Sequence, residues 1–184
     1  SQPIKDLLNI TQSQERKALL QAELKTKLVF QPRGRTDIDF VFLATDSRHG
    51  RLIKPQLNYF RAARLPVYAT SHIYRGNKDS ARDTDLDGII FGDMPWMLLN
   101  NQRMQALRKK LLINWPSARS PFDRLFALGV DSYAVIPHLN RIASQESVRF
   151  NGVTSGLTID QKGRVHRQLL WARFRRGIPR ILDT

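Results

Sequence analysis

Three short apolar runs, the first two separated by a segment of helical length, constrain the fold of this chain more than any other feature of its sequence. The runs occupy residues 38–44, 67–69 and 89–91. They are rich in β-branched and aromatic residues, which favour strands. In the segment after the first run, apolar residues recur at the spacing of a buried helix face, namely Ile53, Leu57, Phe60 and Ala63. The order strand, helix, strand predicts an α/β fold whose parallel strands are buried on both faces.

Parallel sheets of this kind place ligand sites beyond the carboxyl ends of their strands. In this chain those positions are residues 45–47 and 70–72. The hydroxyl groups of Thr70 and Ser71 could hydrogen-bond a ligand there, which makes both residues candidate ligand contacts. The alternative is that Ser71 only caps a short helix.

Periodicity predicts the remaining elements. The predicted helices span residues 13–28, 47–63, 97–112, 122–128 and 131–143. Ser13 is the expected cap of the first helix, and Gly129 the expected break between the last two. Residues 74–86 are polar and predict a loop, with a short helix within it as the alternative. An alternation of period two predicts a hairpin with arms 156–160 and 165–174.

The sequence lacks the motifs on which most catalytic sites depend. It contains no cysteine, which excludes disulfides, thiol catalysis and cysteine-based zinc sites. It also contains no glycine-rich phosphate loop, no Gly-x-Ser-x-Gly turn and no His-Glu-x-x-His motif. We therefore expect no catalytic residue, no metal ion and no cofactor.

An acidic cluster stands out in this basic chain: Asp79, Asp83, Asp85, Asp87 and Asp93. Oxygen-rich clusters can hold calcium or magnesium, but this one lacks the loop pattern that ends in a bidentate glutamate. We expect these aspartates to cap helices, to form turns and to pair with Arg75 and Arg82.

The charge of the chain points to an anionic partner. Thirty lysines and arginines stand against 16 aspartates and glutamates, which gives a formal charge of +14. The basic residues are spread over the whole length, and no recognisable nucleic-acid reader accompanies them. This distribution favours a general surface property or a docking face for an acidic protein or a cell-wall polymer. Nucleic-acid binding remains the alternative.

Several motifs occur in a fixed order along the chain. They are Asp39-Phe40-Val41-Phe42-Leu43-Ala44, Pro66-Val67-Tyr68-Ala69-Thr70-Ser71, Asp85-Leu86-Asp87-Gly88, Asp93-Met94-Pro95-Trp96, Phe126-Ala127-Leu128-Gly129-Val130-Asp131-Ser132-Tyr133 and Asn151-Gly152-Val153-Thr154. On these motifs the chain closely resembles the C-terminal domain of the LppC/LpoA family of outer-membrane lipoproteins. The resemblance runs from about residue 13 to the end.

The resemblance implies a type 1 periplasmic-binding-protein-like fold, in which crossover strands join two parallel-sheet α/β lobes. On this mapping, one lobe contains residues 1–84 and 150–184 with the C-terminal hairpin, and residues 85–149 belong to the other. The crossovers are expected near residues 87–95 and 149–154. The chain is shorter than a full domain of this kind, so an incomplete bilobal domain is expected.

The resemblance also implies a function without enzymatic activity. The family domain binds a bifunctional class A penicillin-binding protein and activates its peptidoglycan synthesis. Family members lie in the periplasm, attached to the inner leaflet of the outer membrane through a lipidated N-terminal cysteine. This chain contains no such anchor, and we expect no other membrane contact.

An alternative function is small-ligand sensing in the cleft between the lobes. The expected cleft residues are Thr70, Ser71, Tyr74, Asp93 and Tyr133. The expected hinge residues are Asp87, Gly88, Pro95 and Trp96.

Overall fold

The computed structural model describes residues 2–32, 34–116, 122–144 and 148–182. Its α-helices are α1 (Gln2–Leu7), α2 (Ile10–Leu24), α3 (Ser47–Tyr59), α4 (Ser80–Asp83), α5 (Pro95–Leu98), α6 (Gln102–Asn114), α7 (Asp123–Val135) and α8 (Leu139–Ser144). Its strands are β1 (Val41–Leu43), β2 (Val67–Ala69), β3 (Ile89–Asp93), β4 (Phe150–Asn151), β5 (Gly156–Ile159), β6 (Val165–Gln168), β7 (Leu170–Arg175) and β8 (Ile178–Ile181). Short 3₁₀ turns lie at Ser71–Ile73, Thr84–Leu86 and Ile136–His138.

The main sheet has the strand order β1-β2-β3-β7-β8. Strands β1 and β2 are parallel, with Val41 opposite Val67 and Leu43 opposite Ala69. Helix α3 connects them, as a parallel pair requires. The predicted strand, helix, strand order is therefore confirmed.

The predicted hairpin is confirmed over only part of its length. Strands β5 and β6 are antiparallel, with Leu157 opposite Arg167 and Ile159 opposite Val165, and β4 pairs with β5 on its other side. The remainder of the predicted second arm forms β7, which joins the main sheet instead. The predicted alternation of period two covers residues 165–174, which include β6 and most of β7, so the sequence pattern did not show that the two strands belong to different sheets.

The chain divides into two units. The first unit contains Ser1–Ile73, Lys78–Ile90 and Phe174–Ile178, and the second contains Tyr74–Asn77, Phe91–Arg173 and Pro179–Thr184. The chain passes between them after Ile73, after Asn77 and within β3, β7 and β8.

These compact units do not coincide with the lobes expected from the family resemblance, and the lobes and crossovers remain a prediction. We expected residues 150–184 to rejoin the first segment of the chain, but residues 150–173 lie in the second unit. Within the second unit, the buried Asp131 of α7 holds this segment, because it accepts hydrogen bonds from the backbone N–H groups of Val153 and Thr154, each at 2.7 Å.

The buried face of α3 differs from the predicted one. It consists of Ser47, Gly50, Lys54 and Leu57. Among the residues of the predicted stripe, Leu57 is buried, Ile53 and Phe60 are half-buried, and Ala63 is exposed. Gly50 determines this orientation, since a Cβ atom there would collide with the buried Ile73.

Strand β1 is buried on one face only. Val41 and Leu43 are in the core, whereas Phe42 and the preceding Phe40 are more than half exposed. The expectation of strands buried on both faces therefore fails at β1, which lies at the edge of the sheet. It holds for β3, where Ile89, Ile90 and Phe91 are all buried.

Helix α2 begins earlier than predicted and buries little. It starts at Ile10, so Ser13 lies within the helix and does not cap it. Ile10 and Ser13 are buried, whereas Leu19 and Leu24 are exposed.

The second unit is built around Trp96. Its core cluster contains Trp96, Met97, Met104, Ala127 and Val153. The predicted helix over residues 97–112 is two helices, α5 and α6, because Asn101 interrupts it and caps α6 by accepting a hydrogen bond from the Met104 N–H at 3.0 Å. Helix α7 runs without a break through Gly129, and the change of direction falls at the 3₁₀ turn that contains Pro137.

Helix α7 is apolar on two faces. Ala127 lies in the core. Elsewhere on the helix and at its two ends, large apolar side chains are exposed, at Phe122, Leu125, Tyr133 and Ile136. These positions follow helical spacing, with Gly129 between them, where an added Cβ atom would meet no atom of the described residues within 4 Å. A helix that is apolar on both sides is typical of one covered by further protein.

Burial of Lys54 predicts a pH-dependent stability. Lys54 is 5% exposed, its Nζ donates to Asn58 Oδ1 at 2.9 Å, and burial lowers the pKa of its ammonium group from 10.5. Because the unfolded chain then binds this proton more tightly than the folded chain, stability rises as pH increases from the lowered pKa toward 10.5. Lys54→Met removes the buried ammonium group and with it this pH dependence. The free energy of unfolding of the variant should exceed that of the native chain, and the excess should be largest at neutral pH.

Urea unfolding from neutral pH to pH 10.5 measures this difference between the two proteins. Lys78→Met, at an exposed position, is the control and should follow the native chain at every pH. If the free energies of unfolding of Lys54→Met and the native chain differed by the same amount at every pH, the prediction would be wrong.

Candidate functional site

The carboxyl ends of β1 and β2 carry polar residues that are engaged locally. After β1, the Asp46 carboxylate caps α3 by accepting hydrogen bonds from the backbone N–H of His49 and from its ring Nδ1 position, both at 2.9 Å. After β2, Thr70 donates its N–H to the Leu43 carbonyl at 3.2 Å, which continues the pairing of the two strands. Ser71 begins the 3₁₀ turn. Thr70 and Ser71 are both half-buried in the first unit.

Asp93 and Tyr74, two of the expected cleft residues, are brought together by an arginine. Asp93 ends β3 and is fully buried, and the Arg124 guanidinium donates to its two carboxylate oxygens at 3.1 and 2.6 Å. The same guanidinium donates to the Tyr74 carbonyl at 2.7 Å. This is a bidentate pair, in which each charge compensates the desolvation of the other. Both groups hold the fold together.

The side chains of the expected cleft residues in the second unit differ in exposure. The ring of Tyr74 is buried and lies 6.0 Å from the ring of Phe91. Tyr133 is 81% exposed on α7. The cleft site composed of Thr70, Ser71, Tyr74, Asp93 and Tyr133 remains a prediction.

Trp96, an expected hinge residue, is an internal anchor. Its Nε1 donates to Asp123 at 2.6 Å, and its backbone N–H donates to the Val153 carbonyl at 2.8 Å. The Arg108 guanidinium lies over the indole, 4.6 Å from the ring centroid, donates to the Trp96 carbonyl and pairs with Asp123 at 3.6 Å. Pro95 occupies the first turn of α5, where its missing N–H costs nothing.

Asp87 and Gly88, the other expected hinge residues, bind the end of β7 and the turn after it. The Asp87 carboxylate accepts hydrogen bonds from the N–H groups of Arg176 and Gly177 at 2.9 and 2.8 Å. Gly88 donates to the Phe174 carbonyl at 3.0 Å, with a φ of +89° that favours glycine. All these residues belong to the first unit.

The partners of the acidic cluster differ from those expected. Asp83 pairs with Arg51 at 2.6 Å, and Asp93 pairs with Arg124. Asp79 caps α4 and pairs with Arg82, as expected. Sequence analysis missed Arg51 and Arg124 because their partners are 32 and 31 residues away, and no local pattern links residues at such separations.

The described part of the chain offers neither a metal-ion cluster nor a membrane-spanning helix. Within residues 2–32, 34–116, 122–144 and 148–182, no three histidine, cysteine, aspartate or glutamate residues are arranged to hold a metal ion. The helices of these same segments are too short or too polar to cross a membrane.

The fold places this chain in the class of type 1 periplasmic-binding-protein-like α/β proteins. One similar solved structure is titled "LpoA (YraM) C-domain from Haemophilus influenzae, a regulator of PBP1A", with a TM-score of 0.65 and 18% identity over 91% of this chain and 49% of that one. Another is a "putative branched-chain amino acid ABC transporter" from Chromobacterium violaceum, with a TM-score of 0.51 and 26% identity over 86% of this chain and 52% of that one.

The chain belongs to the LppC family, since the family model described as "LppC putative lipoprotein" matches residues 1–177. Relatives named "Penicillin-binding protein activator LpoA" include one from Vibrio vulnificus, 30% identical over 91% of this chain and 27% of that protein. One from Aliivibrio fischeri is 30% identical over 93% of this chain and 28% of that protein. The resemblance found from sequence motifs is confirmed, and the chain spans little more than a quarter of these relatives.

Removing the guanidinium of Arg124 should destabilise the fold. In Arg124→Met, the buried carboxylate of Asp93 loses its bidentate partner, and breaking a buried pair in this way costs about 3–5 kcal/mol. Urea unfolding measures the loss. The exposed Arg35–Asp37 pair, with a comparable 2.6 Å contact, provides the control, because solvent screens this pair and Arg35→Met should cost much less than Arg124→Met. Equal losses in the two variants would contradict the assignment of Arg124 as a structural anchor.

Proposed function

We propose that this chain is part of a non-enzymatic regulator that binds a bifunctional class A penicillin-binding protein and activates its peptidoglycan synthesis. The observation that carries the proposal is membership of the LppC family, whose matched relatives are named as activators of penicillin-binding proteins. The family description, a lipoprotein, supports a place in the cell envelope. We extend this to the periplasmic face of the outer membrane.

The use of the carboxylates supports a role without catalysis. A general acid or base must be within reach of a substrate proton, but the carboxylates of Asp83 and Asp93 are buried in ion pairs with Arg51 and Arg124. The carboxylate of Asp131 is buried against the backbone of residues 153–154. These groups stabilise the fold, which fits a protein that acts by being bound.

The charge supports an acidic partner or a cell-wall polymer as the binding target. The formal charge is +14. Surface charge of one sign steers association with a partner of the opposite sign and makes it dependent on salt.

Binding to the synthase can be measured directly. The chain is immobilised and titrated with the class A penicillin-binding protein of the same organism in detergent micelles. We expect a complex at micromolar concentration that weakens as salt rises, together with faster glycan polymerisation or cross-linking by the synthase. A monofunctional class B penicillin-binding protein is the control and should not bind. No complex and no change in synthase rate would overturn the proposal.

Ligand sensing is the second candidate function. The observations that favour it are the fold shared with an amino acid transporter protein and the half-buried hydroxyl residues Thr70 and Ser71 after β2. Thermal unfolding with amino acids, sugars and cell-wall peptides tests it, since a ligand at 100 times its dissociation constant adds ~2.7 kcal/mol of stability. Thr70→Val should remove that gain, whereas Thr26→Val, far along the chain at an exposed position, should retain it. A panel without any shift would reject this function.

A further inference from the structure

The second unit contains a groove that none of the functions above uses. It has a volume of about 570 Å³ and lies between the start of α6, the segment around residues 149–156, and the strands β7 and β8. Ligand pockets typically occupy 300–1,000 Å³. The groove is therefore large enough for a short peptide.

The charged side chains that line this groove are basic. Arg103 and Arg149 line it, and no aspartate or glutamate is among its lining residues in the described part of the chain. Neither arginine has a carboxylate partner within 4 Å among the described residues. Because the guanidinium fork matches the geometry of a carboxylate, two such groups beside one groove favour an anion.

Both arginines are held in place from within the unit. The Arg103 guanidinium donates to the Asn151 carbonyl at 3.3 and 3.4 Å, which leaves other N–H groups of the fork for a ligand. The stem of Arg149 lies over Gly156, where an added Cβ atom would collide with Arg149 Cδ. These contacts reduce the side-chain entropy that binding would otherwise cost.

Apolar side chains line another part of the groove, beside the polar Asn101, Ser155 and Gln168. Met104 is buried there, and Leu169, Trp171 and Ile181 line it while remaining substantially exposed, Trp171 at 45%. A cluster of exposed aromatic and aliphatic side chains around one groove is typical of an interaction site. The groove thus combines a place for a negative charge with a place for apolar side chains.

We propose that this groove binds a short peptide with a free carboxylate. Arg103 and Arg149 hold the carboxylate, and Leu169 and Trp171 cover the neighbouring apolar side chain of the peptide. This proposal concerns the groove alone and does not depend on binding to the synthase.

The test uses the full chain and a defined probe, acetyl-Ala-Glu-Leu-Ala with a free C-terminal carboxylate. The indole N–H signals of the protein are followed by NMR during titration. The signal of Trp171 should shift, whereas that of Trp96, buried in the core, should not. The matched probe acetyl-Ala-Gln-Leu-Ala-amide carries no charge and should bind at least tenfold more weakly.

Substitutions then distinguish binding in the groove from general electrostatic attraction of the charged probe to the basic chain. Arg103→Gln and Arg149→Gln, both at exposed positions, should each weaken the charged probe at least tenfold with an unchanged thermal midpoint. Arg141→Gln, also exposed and outside the groove, is the control and should bind as the native chain does. Absence of a Trp171 shift at millimolar probe, equal binding of the two probes, or an equal loss in all three variants would overturn the proposal.

Discussion

The buried ion pair between Asp93 and Arg124 is the interaction on which the second unit depends. It joins the end of β3 to α7, and the same guanidinium holds the backbone at Tyr74. Three segments that are distant in sequence therefore meet at one side chain. Because a buried carboxylate without its partner is costly, neither group can turn toward solvent, and the geometry of the pair determines how these segments pack.

The same physical solution recurs at Asp131 and Asp87, whose carboxylates accept backbone N–H groups from segments 22 and about 90 residues away. Carboxylates engaged in this way keep the crossing segments ordered and are removed from chemistry. The exposed part of the molecule is instead basic, with apolar residues on α7 and along the groove. Burial of Asp83, Asp93 and Asp131 in a chain of formal charge +14 leaves an excess of basic residues on the surface, and this excess is the physical basis for proposing a protein that binds others.

The predictions from sequence succeeded where the signal was local and failed where it was not. The apolar runs at residues 41–43 and 67–69 paired in parallel as expected, since strand formation there depends on neighbouring residues. The predicted buried face of α3 was wrong, because the helix ends at Tyr59, before Ala63, and packs closely against Ile73 at Gly50, on the same face as the buried Lys54. Gly129 was expected to end a helix, but the packing of Ala127 and Asp131 sustains α7 through it, although glycine costs about 1 kcal/mol in a helix.

The sequence by itself determined the family, the α/β class and the positions of most elements, because motif order and hydrophobic period are properties of the chain alone. Only the tertiary structure decided that residues 150–173 lie in the same unit as α7. It also decided which arginine pairs with each of the buried Asp83 and Asp93, and where arginines and apolar side chains come together to line a groove. Those outcomes depend on desolvation and on contacts between residues tens of positions apart. The free energies of desolvation and ion pairing depend on which groups surround each side chain in the folded protein, and a local sequence pattern does not contain that information.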